Sequence, residues 1–402
     1  MRRRAAVVLA TTVTALVPAP SLAGAAPPSI SAPAAIVVAP AFGDVLFRRD
    51  AGAELPIAST TKLMTALLVL ERDSFDQVFT AVHYHPQPAE SVLGLDAGEQ
   101  LRVDDLLRAL FLASANDAAV TLAVGTSGSV ADFVAAMNAR ATSLGLSHTH
   151  YANPVGLDAP GNYSSAADLV RLAARVRLVP FVRRTVALAH ATLTSGSEQR
   201  VVDNSNDLVG PGRLVNGIKT GHTQQAGYVL VGSATRGGVT VISAVLGEQS
   251  KAARDADTLV LLRYGLDQYR RVPVLDPNIV LASSRIRYRE GDRIDLVPAR
   301  PVTRILRRGE RARTSFHAPR RLTGPLPAGT AVGSIVVRVR GRVVDRVALV
   351  TAQPVPKVSI LERAAGQLRK PGTLALLAAI GAGIGALALA LRRRHSRQRQ
   401  VA

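Results

Sequence analysis

Apolar and polar positions along this chain repeat with different periods, and the changes of period mark out its parts. Ala35–Val38 and Val45–Arg48 are short β-rich runs on either side of a turn at Pro40–Asp44, which predicts two strands. Ser59–Glu71 follows as a helix that is apolar on nearly all sides, so burial is expected. Leu101–Val124 and Ala131–Leu144 carry helical spacing, with Asp104 and Asp105 at a first turn where acids suit the helix dipole. Gly227–Ala234 and Val239–Leu246 are apolar runs separated by Thr235-Arg236-Gly237-Gly238, a hairpin pattern. Ala253–Tyr269 returns to helix. Strands at both ends of this stretch, with helices between, predict an α+β domain over residues 26–272 whose sheet gathers distant segments.

From Pro273 helical periodicity stops, prolines recur and short Val/Ile/Arg runs appear. Arg285-Ile286-Arg287-Tyr288-Arg289 and Val337-Arg338-Val339-Arg340-Gly341-Arg342 alternate with period two, so strands there would put arginines on one face. Residues 273–360 therefore read as a small all-β module with a basic outer surface, followed by a stalk at 361–371. The ends carry their own signals. Met1–Ala25 has three Arg, an apolar run and a small-residue close at Ala23-Gly24-Ala25, the pattern of a secretory signal peptide. Gly372–Leu391 is 20 residues without a charge, long enough as a helix to rise ~30 Å and span a bilayer. Arg392, Arg393, Arg394, Arg397 and Arg399 follow, so the 392–402 tail is expected in the cytoplasm and residues 26–370 outside a single-pass anchor. The alternative for the apolar stretch is a buried core helix.

Composition changes this picture in two places. There is no cysteine, which removes disulfides, zinc-thiolate sites and cysteine nucleophiles. The net charge of +20 suggests nucleic acid until it is divided: residues 26–275 hold 21 basic and 22 acidic side chains, whereas residues 276–370 hold 20 basic and 7 acidic. An exported chain does not meet nucleic acid, so no such partner is expected. The basic module is either a solvated face on an arginine-rich protein or an electrostatic contact for anionic lipid or wall polymer.

The chain uses 44 Arg and only five Lys, at 62, 219, 251, 357 and 370, so lysine positions are informative. Arginine cannot give up its proton near neutral pH, whereas a desolvated lysine can act as a base. In Ser59-Thr60-Thr61-Lys62 a helix places the amine and the hydroxyl on one face. A serine hydroxyl attacks only when a neighbouring base takes its proton, and burial beside a second cation would lower the Lys62 pKa toward that task. Lys219, in Lys219-Thr220-Gly221 at the edge of the sheet, is the expected second cation, and Ser114-Ala115-Asn116 is the third element.

With these three motifs in this order the sequence resembles the penicillin-binding serine acyltransferases, whose signature is Ser-x-x-Lys, a Ser-Asp-Asn middle motif and Lys-Thr-Gly. The closer resemblance is to low-molecular-weight D-alanyl-D-alanine carboxypeptidases. It runs through Ile57–Thr65, Ala113–Ala119, Asn153-Pro154-Val155-Gly156-Leu157-Asp158, Tyr163–Ala166, Asn216–Thr223 and Ala226-Gly227-Tyr228. It implies a β-lactamase-like transpeptidase domain, an antiparallel sheet with helices. It also implies that Ser59 attacks the carbonyl between two terminal D-alanines of a peptidoglycan stem peptide and that Lys62 takes its proton. Ser114 would relay a proton, Asn116 bond the substrate amide, and Lys219 and Thr220 hold the terminal carboxylate. The backbone N–H groups of Ser59 and His222, beside Gly221, would form the oxyanion hole, and Arg254 would lie near the carboxylate. β-Lactams would acylate the same serine. Two positions depart from the family pattern: Ala115 in the middle motif, which could alter cleft shape, and Ala167 where an Arg is often found.

Other readings stay open at this point. A D,D-endopeptidase, a β-lactamase or a non-catalytic wall-binding protein could keep the same residues. His83/His85 and His148/His150 have metal-pair spacing without an evident third ligand, and the chemistry above needs neither metal nor cofactor. Asp104 and Asp105 could be catalytic carboxylates, though a helix N-terminus explains them more simply.

Overall fold

The computed structural model of the chain describes residues 13–16, 26–289, 291–368 and 371–398. It separates into two compact units that divide between Arg270 and Arg271.

The first unit is built on a five-stranded antiparallel sheet. Ala34–Ala39 (β1) and Asp44–Arg49 (β2) form as the pattern predicts, joined by a 3₁₀ turn and a left-handed Gly43. Val78–Thr80 (β3) pairs with Gln100–Arg102 (β4), and His190–Leu193 (β5) with Arg200–Asp203 (β6), as two small ribbons. Val215–Thr223 (β7), Gly227–Arg236 (β8) and Val239–Glu248 (β9) complete the main sheet in the order β2–β1–β9–β8–β7. The pairing of Ala35 with Val245 joins opposite ends of the unit, as the α+β reading requires. Residues of a strand point alternately to the two faces, and both faces are covered. Helix α7 (Lys251–Asp267) lies on one, where Gly265 approaches Val37, Val241 and Leu46. Ile36 and Val38 point the other way, toward Val170 and Ala174 of α5 (Ala166–Val176).

Between the strands lie α1 (Lys62–Arg72), α2 (Val103–Phe111), α3 (Asn116–Ser127), α4 (Val130–Ser143) and, after α5, the short α6 (Pro180–Thr185). Every residue of α1 from Lys62 to Val69 is buried, the result its all-round apolar pattern predicts. The stretch Leu101–Val124 is not one helix. It opens as strand β4 and breaks between α2 and α3 at Ser114, whose φ of 63° takes the backbone out of the right-handed helical region. Asp105 is a structural acid: its carboxylate accepts from the backbone N–H groups of Thr194 and Ser195 and pairs with Arg108.

The second unit is β-rich. Its strands are Tyr269–Leu275 (β10), Ala282–Ile286 (β11), Arg293–Pro298 (β12), Val302–Arg307 (β13), Arg313–His317 (β14), Arg321–Leu322 (β15), Ala331–Val339 (β16) and Arg342–Thr351 (β17). Leu296, Ile335, Val337 and Leu349 fill its core. The predicted alternation holds over β11 and β16: Ile286 and Val337 are buried while Arg285 and Arg338 are exposed. It does not continue as far as expected. Arg287–Arg289 leave β11 through a positive φ at Tyr288, and Arg340-Gly341, both at positive φ, form the two-residue turn of the β16–β17 hairpin.

The predicted signal peptide lies outside the described residues except for Val13–Leu16, which pairs antiparallel with β14 along Arg313–Phe316. The expected stalk is helical, Ile360–Leu368 (α8), and Pro371–Gln398 is a single helix, α9. Its uninterrupted apolar part is Leu374–Ala390, shorter than the 20 residues expected; among the described residues no single helix is long and apolar enough to cross a membrane.

Candidate active site

Ser59 lies in the 3₁₀ turn Ala58–Thr61 that leads into α1, so the lysine three residues on begins the helix proper with its side chain beside the serine. Ala58, immediately before Ser59, has φ 46°, and Ser114 has φ 63°. Left-handed conformations in residues with a Cβ cost ~1–3 kcal/mol each and persist only where the surroundings impose them. Here Gly156 helps to impose one: a Cβ there would stand 2.0 Å from the Ala58 carbonyl oxygen. The resemblance quoted Asn153–Asp158 without a role, and the geometry supplies one. The Asn153 side-chain oxygen accepts from the N–H groups of Val155, Gly156 and Leu157, which turns the Val155 carbonyl inward.

Lys62 is fully buried, and its Nζ has three neighbours: Ser59 Oγ at 2.9 Å, Asn116 Oδ1 at 2.6 Å and the Val155 carbonyl at 2.7 Å. A neutral amine has two hydrogens and one lone pair. The amide and backbone oxygens can only accept, so they take the two hydrogens and leave the lone pair facing the hydroxyl. The electrostatics favour that neutral form. Burial first, and the Lys219 charge second, hold Lys62 well below its ordinary value, with Glu90 and Asp117 pulling the other way.

Lys219 and Thr220 enter from the sheet edge on β7. Both are buried, and Gly221 lets that strand touch the serine turn: a Cβ there would meet Ala58 Cβ at 3.0 Å and Ser59 N at 3.1 Å. The Lys219 ammonium donates to the Thr220 carbonyl, and the Thr220 hydroxyl is 2.8 Å from that of Ser205. Burial, then the charge of Arg254, push Lys219 down to about 7. Arg254 is thus near Lys219 in charge, although its guanidinium is hydrogen-bonded to Asp255. His222 follows on β7 with its ring against Tyr228.

The site therefore brings Ser59, Lys62, Asn116 and Lys219 together. Ser114 lines the break before α3, but among the described residues its hydroxyl has no hydrogen-bond partner. Ala115 does not shape the cleft as its departure from the pattern suggested, because its methyl is fully buried in the hydrophobic core. Three participants carried no sequence signal: Glu90, which accepts from the Asn116 amide; Tyr84, which donates to Glu90; and Ser205 beside Thr220. His83 and His85 pack edge to face, while His148 pairs with Glu54 and His150 bonds the Gly161 carbonyl.

A buried lysine aimed at a serine, with a second cation across the cleft, defines a serine acyl-transfer site. Residues 22–250 match the S11 peptidase family of D-alanyl-D-alanine carboxypeptidases. The chain is 32% identical over 347 residues to the D-alanyl-D-alanine carboxypeptidase DacA of Escherichia coli K12, covering 82% of this chain and 85% of that one. Its fold is similar to the crystal structure of the Streptomyces K15 DD-transpeptidase (31% identity, TM-score 0.56, 60% of this chain and 100% of that one). It is also similar to penicillin-binding protein D2 of Listeria monocytogenes in a cefotaxime-bound form (36% identity, TM-score 0.54, 59% and 98%). The chain belongs to the S11 peptidase family and is a serine hydrolase of the D-alanyl-D-alanine carboxypeptidase type.

Proposed function

We propose that Ser59 Oγ attacks the carbonyl carbon between the two terminal D-alanines of a peptidoglycan stem peptide while Lys62 Nζ takes its proton. The observation that carries this reading is the geometry of the buried Lys62 Nζ, 2.9 Å from Ser59 Oγ and held by two oxygens that can only accept, so that its neutral form turns its lone pair to Ser59. The proton then passes to the leaving amine, D-alanine departs, and water hydrolyses the ester on Ser59. Lys219, with Thr220, holds the substrate's terminal carboxylate, a pairing of the kind worth ~1.5–3 kcal/mol. Backbone N–H groups of Ser59 and His222 receive the oxyanion, and such donors contribute ~3–4 kcal/mol in the transition state. β-Lactams present a carboxylate and a strained amide to the same groups and acylate Ser59. The test measures D-alanine released from a peptide ending in D-Ala-D-Ala by residues 26–370, with Ser59→Ala as control. Release that the substitution abolishes is expected; equal release by both proteins would remove Ser59 from the mechanism.

The catalytic unit acts outside the cytoplasm, tethered through α9. Leu374, Leu376, Leu377, Ile380, Ile384 and Leu387 are all exposed on that helix, and five arginines follow its apolar part. Full-length protein should fractionate with membranes and lose that behaviour when residues 372–402 are deleted. The basic unit supports contact with phosphate groups of anionic lipid or wall polymer. Arg293, Arg285 and Arg321 stand in register across β12, β11 and β15, and Arg313 faces Arg338 across β14 and β16. Like charges directly opposite one another destabilise a sheet, and an anion between them relieves that cost.

A further inference from the structure

The loop between β3 and β4 reaches the catalytic lysine through a chain of hydrogen bonds that the reaction described above does not use. The Tyr84 hydroxyl donates to Glu90 Oε2. The Asn116 amide nitrogen donates to the same oxygen at 2.8 Å, and the backbone N–H of Gln87 donates to Oε1 at 3.0 Å. The loop is clamped independently of Glu90, since the Asp117 carboxylate accepts from the N–H groups of Leu93, Gly94 and Leu95 and the Asn116 N–H donates to the Ser91 carbonyl.

A side-chain amide can turn end for end, exchanging its oxygen and its NH₂. An ionised carboxylate only accepts, so Glu90 fixes the Asn116 NH₂ toward itself and thereby the Asn116 oxygen toward Lys62. With the oxygen there, one Lys62 hydrogen is committed and the lone pair stays on Ser59. Resting on the Ser59/Lys62 reading above, we infer that Glu90 is a positioning residue of the reaction. It orients Asn116 to aim the Lys62 base, and its negative charge stabilises the protonated Lys62 formed when the lysine takes the Ser59 proton.

The charges bearing on Lys62 are Lys219 from β7, Glu90 from the loop and Asp117 from α3, and of these Lys219 alone favours the neutral amine. Glu90 itself lies below its ordinary value: burial raises it, and hydrogen bonds from Tyr84, Asn116 and Gln87 together with the Lys62 charge outweigh that. It is therefore ionised at neutral pH.

Two substitutions separate charge from geometry. Glu90→Gln keeps an oxygen that can accept from Asn116 and Tyr84 but removes the charge, whereas Glu90→Ala removes both. Acylation rates are measured from pH 5 to 9 on the 26–370 protein, scaled to the fraction that penicillin can label. In Glu90→Gln the acidic limb of the profile should move down by ~1 pH unit, because protonated Lys62 has lost the anion that stabilised it. In Glu90→Ala the same displacement should come with a fall in kcat of about 10–100-fold, the scale expected when a reacting group is misaimed. KM should change far less than kcat in both. A loop that merely holds the fold together would lower the labelled fraction and leave the scaled profile in place. Both profiles coinciding with that of the wild type would overturn the inference. Absence of D-alanine release by the wild-type protein would instead overturn the reading on which it rests.

Discussion

The two units of this chain treat charge in opposite ways. In the first, acids and bases nearly cancel, yet Lys62, Lys219, Arg254, Glu99 and Asp105 are buried, and each touches specific partners. In the second, arginines dominate and most stand exposed on strand faces and turns, including Arg285, Arg313, Arg321 and Arg338. A charge taken out of water must be compensated or lose its proton, so each buried group is bound to a geometry. An exposed arginine stays charged and solvated whatever its neighbours do. Net charge thus draws attention to the second unit, while the chemistry resides in the nearly neutral first.

The sharpest way to break this comparison is Lys62→Met. If the buried amine is the base, acylation should fall ~10²–10⁴-fold, the usual worth of positioned proton transfer, while the melting temperature holds or rises because a desolvated amine has been replaced by an apolar side chain of similar length. A loss of folded protein without that selective loss of acylation would return Lys62 to a structural role. Lys219→Met comes next. Losing a charge-assisted contact worth ~1.5–3 kcal/mol should lower kcat/KM about 10–150-fold for carboxylate-bearing substrates. The wild-type pH profile of kcat/KM should also show two limbs. Activity is lost as pH falls and Lys62 is protonated. It is lost again as pH rises through about 7, where free Lys219 gives up the charge that attracts the substrate. In Lys219→Met the alkaline limb should disappear.

Much of this arrangement was legible in the sequence. Ser59 and Lys62 are one helical turn apart, so their meeting follows from local geometry, and the scarcity of lysine made Lys219 conspicuous in an arginine-rich chain. Glu90 and Tyr84 were not legible. They lie in a loop without hydrophobic period and reach Asn116 only through tertiary packing across 26 residues of sequence. The ends of the arginine strands were overextended for a related reason: side-chain alternation runs on through Arg340-Gly341, and only the sign of the backbone dihedral shows the chain turning there. Ala115 was misjudged because sequence does not say which way a methyl points at a helix start.

Smaller effects sharpen the contrast through stability. Glu99 is buried against Arg200 at 2.7 Å and accepts from the Ser197 N–H at 2.7 Å, tying the end of the Glu90 loop to the segment between β5 and β6. Burial opposes its charge, but the hydrogen bonds and ion pair with Arg200 and Ser197 lower it from 4.5 to about 2. An acid depressed on folding stabilises above its unfolded value, and that contribution disappears as pH falls from about 4.5 toward 2. Glu99→Gln should therefore destabilise the first unit by about 3 kcal/mol at pH 7, since Arg200 loses its buried partner. The deficit in denaturant unfolding should narrow as the pH is lowered through that window. A constant deficit at all pH values would mean that the side chain acts by shape, not by charge.

The smallest change in stability is expected where the charge is greatest. Arg313 and Arg338 face each other across β14 and β16, and with Arg311, Arg340 and Glu310 they line a cavity of about 610 Å³. Replacing both with serine removes a like-charge pair, so unfolding of the second unit should shift by no more than ~0.5 kcal/mol, the range of ordinary surface substitutions. Binding should respond differently. If the arginines attract phosphate groups, the doubly substituted protein should bind phosphatidylglycerol vesicles more weakly and with a shallower salt dependence, while neither form favours phosphatidylcholine. Pelleting with phosphodiester wall polymer in place of vesicles separates a wall source of phosphate from a lipid one. Unchanged binding in both assays would leave the arginines as a solvated face. The contrast between the units would then lie in burial alone, with chemistry on one side and solubility on the other.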